Sequence, residues 1–170
     1  MIGRVAGGRD LHKTLKFKGI TIVDDLTRSK EAIRTWLRLL SCETVIEQQL
    51  RSLFRNNFSI TLPQFDVLSE LERTGTPMTM SELSRKLMVS NGNVTGVIDR
   101  LEKNGYVTRT RADHDRRIQF IGLTDKGLRE FDAMAHSHEA WLDGLFAELS
   151  LNDMSDLQDL LLKTRKSATP

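Results

Sequence analysis

The residues best equipped for chemistry in this chain are recognition groups, and they fall in two short stretches. One is the run Ser90-Asn91-Gly92-Asn93-Val94-Thr95-Gly96, followed by Arg100. The other is a set of arginines, Arg109, Arg111, Arg116 and Arg117, around Asp113-His114-Asp115. Asparagine offers a paired donor and acceptor that matches the edge of adenine, and threonine offers a methyl to thymine. Arginine suits insertion into a narrow, electronegative groove. One of these acids can pair with a neighbouring arginine and hold it in one pose. Bond-making chemistry has no comparable set. No Ser/His/Asp, Cys/His or glycine-rich phosphate motif stands in credible context. His136 and His138 are two apart and cannot share a helix face, while His12 and His114 stand alone. Neither a catalytic site, a metal site nor a cofactor is expected.

The first stretch needs a helix to present it. With Val94 at the centre of a buried face, Val97, Ile98 and Leu101 fall beside it. The opposite face then carries Gly92, Gly96, Asp99 and Lys103, and the flanks carry Asn93, Thr95 and Arg100. Two glycines on an exposed helix face cost roughly 1 kcal/mol each relative to alanine. Close approach to a large, flat partner would compensate for that. Ser90 taken alone reads as a plain helix cap, but capping does not explain the exposed glycines.

The neighbouring elements follow from local signals. Thr79 and Glu82 have capping-box spacing and open a short helix with Leu83 and Leu87 on its apolar side. Val89 and Ser90 then make a turn into the helix that ends at Asn104, with Gly105 as its left-handed cap. Tyr106 to Leu123 reads as two strands with a polar tip, a hairpin of uncertain register. Helix, turn, helix and basic ribbon together make a winged helix-turn-helix, which places its second helix in the DNA major groove and its wing in the adjacent minor groove.

The rest of the chain frames this piece. Residues 1–25 form a basic arm, with a short ordered stretch near Ile20–Val23. Residues 26–60 carry apolar positions at helical spacing, Ile33, Trp36, Leu37, Leu40, Ile46, Leu50, Leu53 and Phe54. The winged helix spans 61–123, beginning with a Thr61/Gln64 capping box and Pro63. Residues 124–166 hold one helix from Thr124 to about Leu149 and another begun by Ser150 and Asp153. The expected fold is therefore mainly α with a small β-hairpin wing, flanked by long dimerisation helices.

Charge is segregated although the net is only +2. Residues 1–22 carry five bases against one acid, 79–122 eight bases against five acids, and 123–162 two bases against nine acids. That pattern fits a polyanion-binding face and an acidic face turned from it. The apolar runs are too short to span a membrane. A single cysteine, Cys42, excludes an internal disulfide framework and fits a cytoplasmic location.

These residues resemble the MarR family of winged-helix regulators over about 30–162. The motifs that carry the resemblance are L-P-Q-F-D-V-L at 62–68, E-L-S-R-K-L at 82–87, V-T-G-V-I-D-R-L-E-K-N-G-Y-V at 94–107, and D-x-D-R-R followed by L-T at 113–124. The resemblance implies a homodimer with interlocking terminal helices, bound to a pseudo-palindromic operator in double-stranded DNA, and repression relieved by a small ligand. It aligns Asp115 and Arg117 with the family's wing Asp-x-Arg, with Arg116 beside them, and places one of these arginines in the minor groove. The run S-R-K-L-M-V-S-N-G-N-V-T-G is similar to members controlling catabolism of aromatic acids, some of which answer to aromatic acyl-CoA thioesters such as hydroxycinnamoyl-CoA. The basic arm would then help to neutralise CoA phosphates. The family's pocket lies between winged helix and dimer helices, with Trp36, Arg38, Phe58 and Phe65 as candidates to line it. Cys42 sits well inside the first long helix and reads as a small buried hydrophobe. The alternatives to a metabolite-responsive repressor are a thiol-based oxidant sensor at Cys42 and a winged-helix module that binds protein.

Overall fold

The apolar period of the first long segment yields one 37-residue helix, α1 (Ile22–Phe58). It begins four residues before the expected Leu26, directly after a two-stranded antiparallel pair, β1 (Lys16–Phe17) and β2 (Ile20–Thr21). The computed structural model describes residues 16–17, 20–111 and 118–169. The chain divides into two compact units, residues 1–45 and 46–170. In the first, the large apolar side chains Ile33, Trp36, Leu37 and Leu40 are exposed.

The second unit holds the end of α1, then α2 (Leu62–Thr74), β3 (Met78–Thr79), α3 (Met80–Lys86), α4 (Asn91–Lys103), β4 (Val107–Arg111), β5 (Gln119–Leu123), α5 (Asp125–Leu145) and α6 (Leu151–Ala168). Most helix starts are the ones their side chains dictate. Gln64 Oε1 accepts the amide and hydroxyl of Thr61 at 2.8 and 3.1 Å, and Glu82 and Asp153 close the same box on Thr79 and Ser150. α5 stops at Leu145, short of the expected Leu149, because residues 146–149 tighten into turns before the Ser150 box starts α6.

The core of this unit is one apolar cluster built from Phe54, Leu68, Leu83, Ile98, Leu101, Ile121 and Met134 with their neighbours. α6 buries no residue, and Leu157, Leu160 and Leu161 lie exposed on it. The sheet has strand order β3-β5-β4. β3 is a third strand that the sequence does not announce; Met78 and Thr79 pair with Ile121 and Phe120. The hairpin register is fixed by Val107 opposite Leu123, Arg109 opposite Ile121 and Arg111 opposite Gln119. Side chains alternate along a strand, so Val107, Arg109 and Arg111 share one face, and Val107 is buried on it. Among the described residues no helix is long and apolar enough to cross a membrane.

Candidate nucleic-acid interface

The turn between α3 and α4 is centred on Met88, one residue earlier than the expected Val89-Ser90. Met88 has φ 53°, a left-handed conformation that costs a side-chain-bearing residue about 1 kcal/mol. Hydrogen bonds hold it there. The Met88 and Val89 amides reach back to the Arg85 and Ser84 carbonyls at 3.3 and 3.1 Å, the paired closure of a Schellman motif. The Ser84 hydroxyl donates to the Val89 carbonyl. Ser90 then caps α4, its hydroxyl accepting the Asn93 amide at 3.4 Å. At the other end the Gly105 and Tyr106 amides donate to Glu102 and Leu101 at 2.9 Å each, with Gly105 at φ 73°. Both ends of α4 are therefore set by short-range bonds, which fixes what it presents.

α4 buries Val94, Ile98 and Leu101 and half-buries Val97, the face the period indicates. Ser90, Gly92, Asn93, Thr95, Gly96, Asp99, Arg100 and Lys103 are exposed. A Cβ added at Gly92 or Gly96 would meet no atom within 4 Å. Packing among the described residues thus gives no reason for either glycine. What they create is a bare strip of helix backbone, open to a partner that comes close. Asn91 opens this helix.

The ribbon differs from the expected picture at Arg109. The sequence lists it with the arginines that face DNA, but the register turns it inward beside Val107. Its guanidinium pairs with Asp99 and lies 3.2 Å from Glu102, both on α4, and its side chain is only 22% exposed. One arginine on β4 thus neutralises two acids of the helix that carries the glycines, and ties helix and ribbon together. Arg111, two residues further on the same face, is exposed. Asp115, Arg116 and Arg117 lie outside the described residues. Arg85, which the sequence reading did not single out, is a further exposed base in the last turn of α3; the first helix of a helix-turn-helix crosses the DNA backbone.

The effector candidates separate. Phe65 is 6% exposed and belongs to the core, since its ring stacks on Phe131 at 5.6 Å and lies 4.4 Å from Phe54. Phe58 is half-buried at the rim of the same cluster, 6.1 Å from Trp141. His138, which carried no weight in the sequence, packs at 4.9 Å from Phe65 and 5.7 Å from Phe54. Desolvation there holds its imidazole below the usual histidine range. Trp36 and Arg38 are exposed residues of the first unit. Cys42, expected to be buried, is exposed, as are its apolar helix neighbours Leu39, Leu40 and Val45.

Comparison with known proteins places this geometry. The model of the MarR family matches residues 60–118. An HTH-type transcriptional regulator of Bacillus cereus is similar at 33% identity over 132 residues, 77% of this chain and 86% of that protein. Among solved structures, a MarR family transcriptional regulator from Silicibacter pomeroyi superposes with a TM-score of 0.73 at 28% identity, covering 84% of this chain and 98% of that one. A MarR variant from E. coli, complexed with operator DNA, superposes with a TM-score of 0.70 at 25% identity, covering 79% of this chain and 95% of that one.

Proposed function

The chain belongs to the MarR family of DNA-binding transcriptional regulators, and we propose that it is a homodimeric repressor which a small ligand releases from a pseudo-palindromic operator. The observation that carries the reading is the open strip at Gly92 and Gly96 on a capped, exposed α4. A second copy of the chain would cover Leu157, Leu160 and Leu161 on α6 and, in the first unit, Ile33, Trp36, Leu37 and Leu40, all of which are exposed in one chain. The wing arginines Arg111, Arg116 and Arg117 would supply the minor-groove contact, with Asp115 orienting one of them. Ser90, Asn91, Thr95 and Arg85 would serve the backbone and base edges at the start of α4.

For the effector we propose an aromatic acid or its CoA thioester. The similarity of the 84–96 run to regulators of aromatic catabolism supports it. The exposed thiol of Cys42 supports a second reading, oxidant sensing. One experiment tests all of this. Footprinting on the DNA upstream of the gene should protect two half-sites about 10 bp apart, centre to centre. Affinity should fall roughly 10³-fold or more between 50 and 200 mM salt, as release of counterions from six or more phosphates requires. Adding aromatic acids or their CoA thioesters should then free the DNA. Release by peroxide that disappears in Cys42→Ser would replace the metabolite reading with the thiol one, and salt-insensitive, sequence-blind binding would defeat both.

The Arg109 tie makes a separate prediction. Arg109→Ala leaves the carboxylates of Asp99 and Glu102 uncompensated beside DNA phosphates. Operator binding should weaken by at least about tenfold, or 1.4 kcal/mol. Adding Asp99→Asn should restore part of the loss in a fluorescence-anisotropy titration. A double variant no better than Arg109→Ala would make Arg109 a direct phosphate contact.

A further inference from the structure

α4 has two flanks beside its glycine strip, and the structure makes them unequal. Asp99 and Glu102, held by Arg109 of β4, mark the flank that faces the wing. Asn93 and Arg100 lie on the other flank. They are seven residues apart, so after two turns they return to nearly the same side, with about 20° of drift. Both are exposed, and neither side chain has a hydrogen bond or ion pair among the described residues. The charges of the wing-side flank are already engaged, whereas this pair is unengaged and aligned.

We propose, on the DNA-binding reading above, that Asn93 and Arg100 are the base-reading pair of α4, and that they read an adenine and a guanine about three base pairs apart in each half-site. The spacing follows from the helix. Seven residues at 1.5 Å each separate the two side chains by about 10.5 Å along the axis. With base pairs stacked 3.4 Å apart, that is about three steps. The base assignment follows from the side chains. The asparagine amide matches the N6 and N7 edge of adenine, and the guanidinium fork matches O6 and N7 of guanine. Gly92 and Gly96, next to this flank, let the helix settle deep enough for the short Asn93 side chain to reach a base edge. The phosphates are left to the helix N-terminus and the wing.

The test is a panel of operators carrying every single base-pair substitution, bound by wild type, Asn93→Ala, Arg100→Ala and Arg100→Lys. Wild type should lose roughly 10-fold at one A·T pair and roughly 10-fold at one G·C pair, about three positions away. Asn93→Ala should flatten the profile at the first position alone, and Arg100→Ala at the second alone. Lysine at 100 should not restore guanine preference, because the bidentate fork is gone. Thermal melts should match wild type, since both side chains are exposed. A uniform loss across all operators, with a salt slope lower by about one, would make either residue a phosphate contact and overturn the assignment. An unchanged profile in both variants would overturn it as well. A wild-type profile flat at every position would instead strike at operator recognition itself and remove the basis for the pair.

Discussion

Replacing Gly96 by phenylalanine is expected to abolish specific operator binding while leaving the protein at least as stable as before. The two halves of this outcome have separate causes. Inside the protein, a Cβ added at this position meets nothing within 4 Å, and the residue lies in mid-helix, where glycine is the second-worst helix former. Alanine there should therefore stabilise the fold by up to about 1 kcal/mol, and phenylalanine by somewhat less. Outside the protein, the same position lies on the strip that approaches the groove. A ring added there holds the helix away from the base edges, so direct readout is lost and only attraction to the phosphates remains. Specific binding commonly exceeds nonspecific binding by 10³-fold or more, and Gly96→Phe should lose about that factor. Anisotropy titrations on operator and scrambled DNA, beside thermal melts, separate the two effects. A variant that keeps wild-type specificity would refute the close-approach argument, and one that unfolds would show a packing role that the structure does not contain.

The parts of this molecule that the sequence announces are those set by neighbours three to seven residues apart. The boxes at Thr61, Thr79 and Ser150, the cap at Ser90 and the left-handed glycine at Gly105 all belong to this class. So does the buried face of α4, because a helical period survives any tertiary context. The features that stayed hidden depend on distant segments. β3 is two residues long and exists because β5 offers it an edge. Met88 stayed hidden for another reason: its bonds to Arg85 and Ser84 are local, but its left-handed conformation is one that glycine or asparagine would have advertised. Arg109 looked like its neighbours Arg111 and Arg116 until the register turned it toward Asp99 and Glu102. A signal for it did exist: two acids at i and i+3 on a helix that should meet a polyanion ask for a cation nearby. Phe65 and Phe58 could not be told apart in the sequence, since core and rim positions of one aromatic cluster have the same composition.

Gly127 should respond in the opposite sense to Gly96. It is buried in the first turn of α5, and a Cβ there would lie 1.9 Å from the Tyr106 carbonyl oxygen, 2.8 Å from its carbon and 3.1 Å from its Cα. These are backbone atoms and cannot swing aside. The approach is enforced from both directions. The Thr124 hydroxyl lies 2.7 Å from the Gly105 carbonyl, accepts the Gly127 amide at 2.9 Å, and the Thr124 amide donates to Tyr106 at 3.1 Å. Lys126 donates to the Asn104 carbonyl at 2.8 Å while its ammonium sits 4.9 Å from the Tyr106 ring centroid. The start of α5 is thus bonded to the end of α4 and the root of the wing, at a position where only hydrogen fits. Gly127→Ala must break this seam or distort it, at a cost of about 3 kcal/mol or more. In a chain of this size that lowers Tm by roughly 6–12 °C. Operator binding should fall with it even below the melting transition, because the seam aligns the wing root with the C-terminus of α4. The comparison that decides is Gly127→Ala against Gly96→Ala in the same melting and binding assays. The same methyl group should destabilise at one glycine and stabilise at the other. Matching melting temperatures would mean that the tight contact at Tyr106 relaxes freely, and that the α4–wing–α5 seam does not set the geometry of the reading helix.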